Sequence, residues 1–230
     1  MISMRIVGNE VTALGTAALA MPFRLLLRAQ CFDPDAPHPT PVVLVHGFLG
    51  DPTNFLALRG HLASRGIRNF MSFSYPPRLD YQRLACRLGR MVEAACLATG
   101  ASQVDLVGHS LGGLIARYLT EIGDGGRVRR VVTLGAPYFS TRIPPRELAV
   151  FGAYDLFVVA PHPVYGPHGR IVLAPDCGHW GLLYHPMVLE EVARFLSFPL
   201  GIVARPPTAV QITTSMELPG WNSPGLMMPT

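Results

Sequence analysis

The run Gly108-His109-Ser110-Leu111-Gly112-Gly113 carries the residue best suited to covalent chemistry. A serine at G-x-S-x-G spacing fits a nucleophile held on a sharp turn from strand to helix. The pattern alone is common, but here Val104 to Val107 reads as a strand before it and Leu111 to Ile122 as a helix after it. In that context the turn strains the serine backbone and exposes its hydroxyl, and a Cβ at either flanking glycine collides with the neighbouring strand or helix. The hydroxyl also sits near a helix N-terminus, where the dipole favours developing negative charge. A serine used this way needs a base, a carboxylate to orient that base, and donors for an oxyanion. His46-Gly47-Phe48-Leu49-Gly50 could supply one donor, the amide of Phe48; by itself it is no more than a glycine-rich turn after a strand. The amide of Leu111, directly after the serine, is the second candidate.

The elements that must position these groups are legible in the hydrophobic pattern. Val42-Val43-Leu44-Val45 is a continuous apolar run between Pro41 and Gly47, as in a strand buried on both faces. Asp51-Pro52 opens a helix, with Asp as cap and Pro in the first turn, and Phe55, Leu58 and Leu62 share one face. Ile67 to Phe73 reads as a second strand. Asp80 to Ala98 reads as a helix with Leu84, Leu88, Met91 and Ala95 inward and Arg83, Arg87 and Arg90 outward. Val128 to Leu134, Leu148 to Ala153 and Arg170 to Ala174 are further strands, and Pro186 to Leu196 a last helix with Val188, Val192 and Phe195 inward. Strands alternating with helices imply an α/β fold, a mostly parallel sheet with helices on both faces, with functional groups at the carboxyl ends of its strands.

Composition narrows the function classes. Of 230 residues 49% are hydrophobic and 15% charged, which is incompatible with a wholly disordered chain. No apolar run is long enough to span a bilayer. The formal charge is +4, but the 19 basic residues are all arginine and are scattered, so the clustered basic face of a nucleic-acid binder is missing. Cys31, Cys86, Cys96 and Cys177 show no CxxC pair and no zinc spacing, and no metal site is expected.

The segment Val104 to Tyr118 resembles the elbow region of small bacterial lipases of the α/β-hydrolase fold. His46-Gly47-Phe48, Val132-Thr133-Leu134-Gly135-Ala136-Pro137 and Gly178-His179-Trp180-Gly181-Leu182-Leu183 resemble that family's oxyanion loop, the strand after the elbow helix, and the catalytic-histidine loop. The resemblance spans about residues 41–197. It departs from the family after Pro137, where Tyr138-Phe139-Ser140 replaces the usual His and Gly before Thr141. It implies a serine esterase or lipase that needs no cofactor. The fold's chain order is serine, acid, histidine. His179, between the last strand and the last helix, is the expected base, with His162, His168 and His185 as alternatives. Asp155 stands where the resemblance puts the acid; Asp176, in the histidine's own loop, is the alternative. Serine at the elbow argues against the haloalkane and epoxide branches of the fold, which use Asp there. Thioesterase, acyltransferase and amidase remain alternatives with the same triad, and a binding module that has lost activity is the non-enzymatic one.

The short stretch between Pro137 and Leu148 leaves little room for a lid, so an open apolar site for short or medium acyl esters, or for an insoluble ester surface, is expected. Phe48, Leu49, Leu111, Tyr138, Phe139 and Trp180 are candidate linings, each of them also readable as an ordinary core or loop residue, and His109 and His46, neighbours within their motifs, read as structural or pocket-lining. The catalytic domain is expected over 41–200. Before it lie an N-terminal segment and a Pro-rich linker (1–40), after it a Pro-containing extension (201–230). The apolar stretch Val11 to Ala20 has three readings: a packed or membrane-surface helix, a signal peptide, or an unstructured extension. Glu10 at its start and the apolar segment Phe23 to Leu27 after any cleavage point argue against the second. Contact with a lipid interface would run through residues 11–29. Because every triad and oxyanion candidate lies after residue 45, the N-terminal segment is expected to lie outside the site.

Overall fold

The computed structural model describes residues 4–22, 32–122, 124–138, 146–160 and 170–197. Helix α1 spans Met4–Ala20. Strand β1 (Val42–Val45) leads through a 3₁₀ turn, Pro52–Phe55, into α2 (Leu56–Ser64). Then follow β2 (Phe70–Phe73), α3 (Tyr81–Thr99), β3 (Val104–His109), α4 (Leu111–Glu121), β4 (Val128–Leu134), β5 (Glu147–Gly152), β6 (Arg170–Ala174) and α5 (Pro186–Ser197).

The six strands form one sheet in the order β2-β1-β3-β4-β5-β6, and every neighbouring pair is parallel. Parallel strands need crossover helices, and those helices cover both faces. The alternation along β1 shows this directly. Val42 and Leu44 pack with Phe55, Leu58 and Leu62 of the α2 region and Val188 and Val192 of α5, whereas Val43 and Val45 pack with Leu84 and Leu88 of α3 and Ile115 of α4. All strands therefore point their carboxyl ends at the same rim.

Two expectations shift. Asp51 does cap a helical turn, with its side chain accepting from the Thr53 amide, but that turn is 3₁₀ before it becomes α2. The second strand starts at Phe70 rather than Ile67, because the Ile67 amide donates to the Leu62 carbonyl and still belongs to the end of α2. Ile67 keeps its side chain in the core all the same.

Residues 4–20 are helical and packed on the domain, with Ile6 and Ala13 buried. No helix among the described residues is long and apolar enough to cross a membrane. Phe139, His162, His168, the segment 23–31 and the extension 201–230 lie outside the described residues.

Candidate active site

Ser110 sits between β3 and α4 at φ 53°, ψ −123°. A non-glycine residue in such a region costs about 1–3 kcal/mol and persists only where the surroundings enforce it. Here they do. The Ser110 amide donates to the Leu134 carbonyl of β4 (2.8 Å), and its carbonyl accepts from Gly113 (3.0 Å) and Leu114 (3.2 Å) in the first turn of α4. Gly112 presses its backbone against the carbonyls of Val45 and His46, leaving no space for a Cβ. The glycines of the motif are thus there for close approach of helix, strand and the loop after β1.

The other two expected groups meet on the same rim. Asp155 follows β5 and His179 follows β6, and His179 Nδ1 lies 2.7 Å from Asp155 Oδ2. Asp155 Oδ1 accepts from the amides of Phe157 (2.8 Å) and Val158 (2.9 Å). Burial alone raises this carboxyl, but the hydrogen bond and charge of His179 and the two amides outweigh it and hold it below the ordinary Asp value. Gly135, at the end of β4, fits beneath the pair: a Cβ there would be 3.1 Å from both Asp155 Oδ2 and His179 Nδ1. Of the two acids considered, Asp155 is the one bonded to the imidazole. Asp176 adopts a left-handed backbone (φ 50°) in the turn after β6, and His185 leads into α5, with its amide on the Gly181 carbonyl.

Of the two places open to His109, structural or pocket-lining, the structural one fits its contacts. It is buried under the histidine loop, with Nε2 3.0 Å from the His179 carbonyl and its ring centroid 4.7 Å from that of His179. Burial first, then the neighbouring His179, lowers its pKa to about 3, so it stays neutral and donates from Nε2. It braces the backbone of His179. His46 likewise serves the loop after β1. Its ring stacks on Tyr75 at 4.4 Å, its Nδ1 donates to the Gly47 carbonyl (2.8 Å), and the Tyr75 hydroxyl donates to the His46 carbonyl (2.6 Å). Burial lowers its pKa too. Gly47 in turn lies against Ser110 Cβ and the His109 ring. This brings the Phe48 loop up to the elbow. Leu111, first residue of α4, has no intrahelical acceptor for its amide.

A profile of the alpha/beta hydrolase fold matches residues 40–159. The chain belongs to the alpha/beta hydrolase fold family. Over 111 residues it is 32% identical to a triacylglycerol lipase of Pseudarthrobacter phenanthrenivorans, covering 43% of this chain and 33% of that protein. A triacylglycerol lipase of Burkholderia plantarii matches over the same length at 32% identity, covering 43% of this chain and 29% of the relative. The matched part thus spans about a third of those relatives. Among solved structures, Aspergillus fumigatus lipase B superposes with a TM-score of 0.58 at 14% identity, over 74% of this chain and 55% of its own, a likeness of fold.

Around the candidate site of this alpha/beta hydrolase the apolar residues divide into two groups. Phe48 and Leu49 on the β1 loop, Phe157 on the β5 loop and Trp180 on the β6 loop form an exposed or half-exposed rim, with Leu49 69% and Phe157 67% exposed. Phe157 and Trp180 each pack against His179, with centroids 5.3 Å from it, and against each other at 5.0 Å. Phe157 was not among the sequence candidates; the only signal for it was its place two residues after Asp155. Tyr138 belongs to the second group, which is structural. Its ring lies under the Arg117 guanidinium (3.4 Å to the centroid), and its hydroxyl donates to the buried Glu147. Glu147 also pairs with Arg117 at 2.8 Å, and Arg117 donates to the Pro137 carbonyl (2.8 Å). Tyr138 therefore fastens the chain after β4 to α4 and β5 instead of presenting a wall to substrate. No cluster of metal-binding side chains occurs among the described residues.

Proposed function

We propose that this protein is a serine hydrolase of carboxylic esters, of lipase or esterase type, that works through an acyl-enzyme on Ser110. The observation that carries this reading is the Asp155–His179 hydrogen bond on the same rim as a strained Ser110 at a helix N-terminus. His179 Nε2, the nitrogen not engaged by Asp155, takes the hydroxyl proton as Ser110 Oγ attacks the acyl carbon. The amides of Phe48 and Leu111 bind the oxyanion; one such donor is worth about 10²–10³ in rate. The tetrahedral intermediate collapses, and the alkoxide leaves with the proton from His179. A water then loses its proton to the same nitrogen and attacks the ester on Ser110. The carboxylic acid departs as Ser110 regains its proton. Asp155 holds the imidazole in the tautomer with Nδ1–H and stabilises the imidazolium in between.

The lipase relatives and the exposed apolar rim support an ester substrate with an acyl chain rather than a polar one. The test is a panel of nitrophenyl esters of increasing chain length beside matching acyl thioesters, with phosphonate labelling of the nucleophile. Ser110→Ala is expected to lower ester turnover by roughly 10⁶-fold with its circular dichroism unchanged. Turnover at the wild-type rate in that variant would sink the reading, and preference for thioesters would move it to the thioesterase class.

A further inference from the structure

The expectation that the N-terminal segment lies outside the site does not survive the contacts of Glu10. Both oxygens of this carboxylate accept hydrogen bonds from consecutive amides of the histidine loop, Oε2 from Trp180 (3.0 Å) and Oε1 from Gly181 (2.8 Å). Trp180 and Gly181 open the 3₁₀ turn Gly181–Leu183. The first amides of a helical turn have no acceptor within it. Glu10 thus caps this turn from α1, with the charge sign that the turn's N-terminus favours.

The loop is shaped to receive it. A Cβ at Gly178 would fall 2.5 Å from the Glu10 carboxyl carbon, and one at Gly181 would fall 2.6 Å from Oε1. Only the absence of side chains at both positions admits the carboxylate. Between those glycines stands His179. Its carbonyl is fixed by His109, and the Cys177 carbonyl before it accepts from the Tyr154 amide (3.0 Å). On the other side Gly152, at the end of β5, packs against the Cys177 and Gly178 carbonyls. The backbone of the base is therefore held from the sheet side by β3 and β5 residues and from the other side by Glu10.

We propose that Glu10 is a positioning residue for catalysis: by capping Trp180 and Gly181 it fixes the backbone around His179, so that α1 is part of the machinery that aims the base. This rests on the reading of Ser110, Asp155 and His179 as the triad. A base displaced by even about 1 Å can cost on the order of 10²-fold in rate, whereas of the apolar rim only Trp180 sits on the capped loop and Phe48, Leu49 and Phe157 sit on others, so binding is expected to change less than turnover.

The experiment compares wild type, Glu10→Ala and Glu10→Gln in the full chain. The readouts are kcat and KM on a soluble nitrophenyl ester, the rate of Ser110 phosphonylation, and the downfield proton resonance of the His179 Nδ1–H. Glu10→Ala is expected to lose tenfold or more in kcat, with KM within twofold, a proportional loss in phosphonylation rate, and a broadened or shifted downfield proton. Glu10→Gln keeps the size and one acceptor, and is expected to fall in between, at three- to fivefold. If Glu10→Ala does not fold, Glu10→Gln decides alone. A folded Glu10→Gln with wild-type kcat and an unmoved downfield proton overturns the proposal, as does a loss confined to KM. The Ser110→Ala control, run in parallel, separates this failure from failure of the triad reading: if turnover survives Ser110→Ala, the triad is wrong; if it does not and Glu10 is silent, only the role of Glu10 is wrong.

Discussion

The two ends of the sheet each bury a carboxylate, and the two carboxylates behave oppositely. At the amino end Asp105 lies wholly buried in β3, paired with Arg129, with His38 3.7 Å away. Burial dominates there and raises its pKa, even with Arg129 pulling it down. At the carboxyl end Asp155, with an equally inaccessible side chain, is held low by one imidazole and two amides. The backbone differs in parallel. Left-handed positions between helix and strand at the amino end are taken by Gly66 and Gly100, at no strain. At the carboxyl end one falls on Gly135 after β4, but the others fall on Leu49, Ser110 and Asp176, all the non-glycine residues with positive φ among those described. The amino end uses its charges to fasten parts together. Arg129 and Arg130 both donate to the Leu196 carbonyl of α5, and His38 of the linker joins them there. The carboxyl end keeps strained backbone and a hydrogen-bonded Asp155–His179 pair, an arrangement whose cost is met elsewhere in the fold.

The comparison breaks most visibly if a carboxyl-end acid proves dispensable. Asp155→Asn keeps the shape but favours the wrong imidazole tautomer, so kcat near neutral pH is expected to fall by about 10⁴. Asp176→Asn is expected to lose less than about tenfold, since it is Asp155 that holds the imidazole. The reverse pattern in two folded variants would reassign the acid. Asp155→Asn also tests the pH linkage. A carboxyl whose folded pKa is depressed stabilises the fold above its unfolded value of about 3.9, and that stability is lost as pH falls through the lower folded value. The difference in Tm between wild type and Asp155→Asn should therefore be largest near neutral pH and shrink as pH is taken below about 4; a difference that grows on acidification would contradict the depressed pKa.

The amino end should give the complementary result. Asp105→Ala leaves Arg129 without its buried counter-charge. Breaking a buried pair from one side costs about 3–5 kcal/mol. For a chain of this size even the lower figure lowers Tm by about 6–12 °C. The kcat of the folded fraction should stay at the wild-type value. A selective loss of kcat without loss of Tm would show that the two ends are not divided in this way. The smallest effect concerns strain alone. Leu49→Gly removes a left-handed cost of about 1–2 kcal/mol against a glycine entropy penalty near 1, so Tm should rise by a few degrees at most. Gly100→Ala should lower it by a similar amount. Thermal melts of the pair, showing the same sign for both, would remove backbone strain from the comparison.

How far the sequence reaches into this division depends on how local each signal is. The run Val42–Val45 and the elbow around Ser110 are legible because neighbouring residues carry both the pattern and its physical reason. The pairing of Asp155 with His179 is legible only through the chain order that the resemblance supplies, since it joins the ends of different strands. The role of Glu10 is not legible at all, and for His109 and Tyr138 the sequence leaves a structural and a lining role side by side. Both sit beside motif residues, which is what makes lining a candidate role for each. Their real partners, the His179 carbonyl and the Arg117–Glu147 pair, are defined only once four strands are side by side. Ile67 misled for a related reason: a buried apolar side chain looks like a strand residue even while its backbone closes a helix.

The bridge from Glu10 to the Trp180 amide spans 170 residues. Synthesis completes α1 well before the loop that Glu10 caps. At about 5–20 residues per second the helix waits roughly 10–30 s for its partner. During that interval only the Pro52–Phe55 turn offers α1 part of its native surface, so the helix stays partly uncovered and open to chaperones, to membranes and to aggregation.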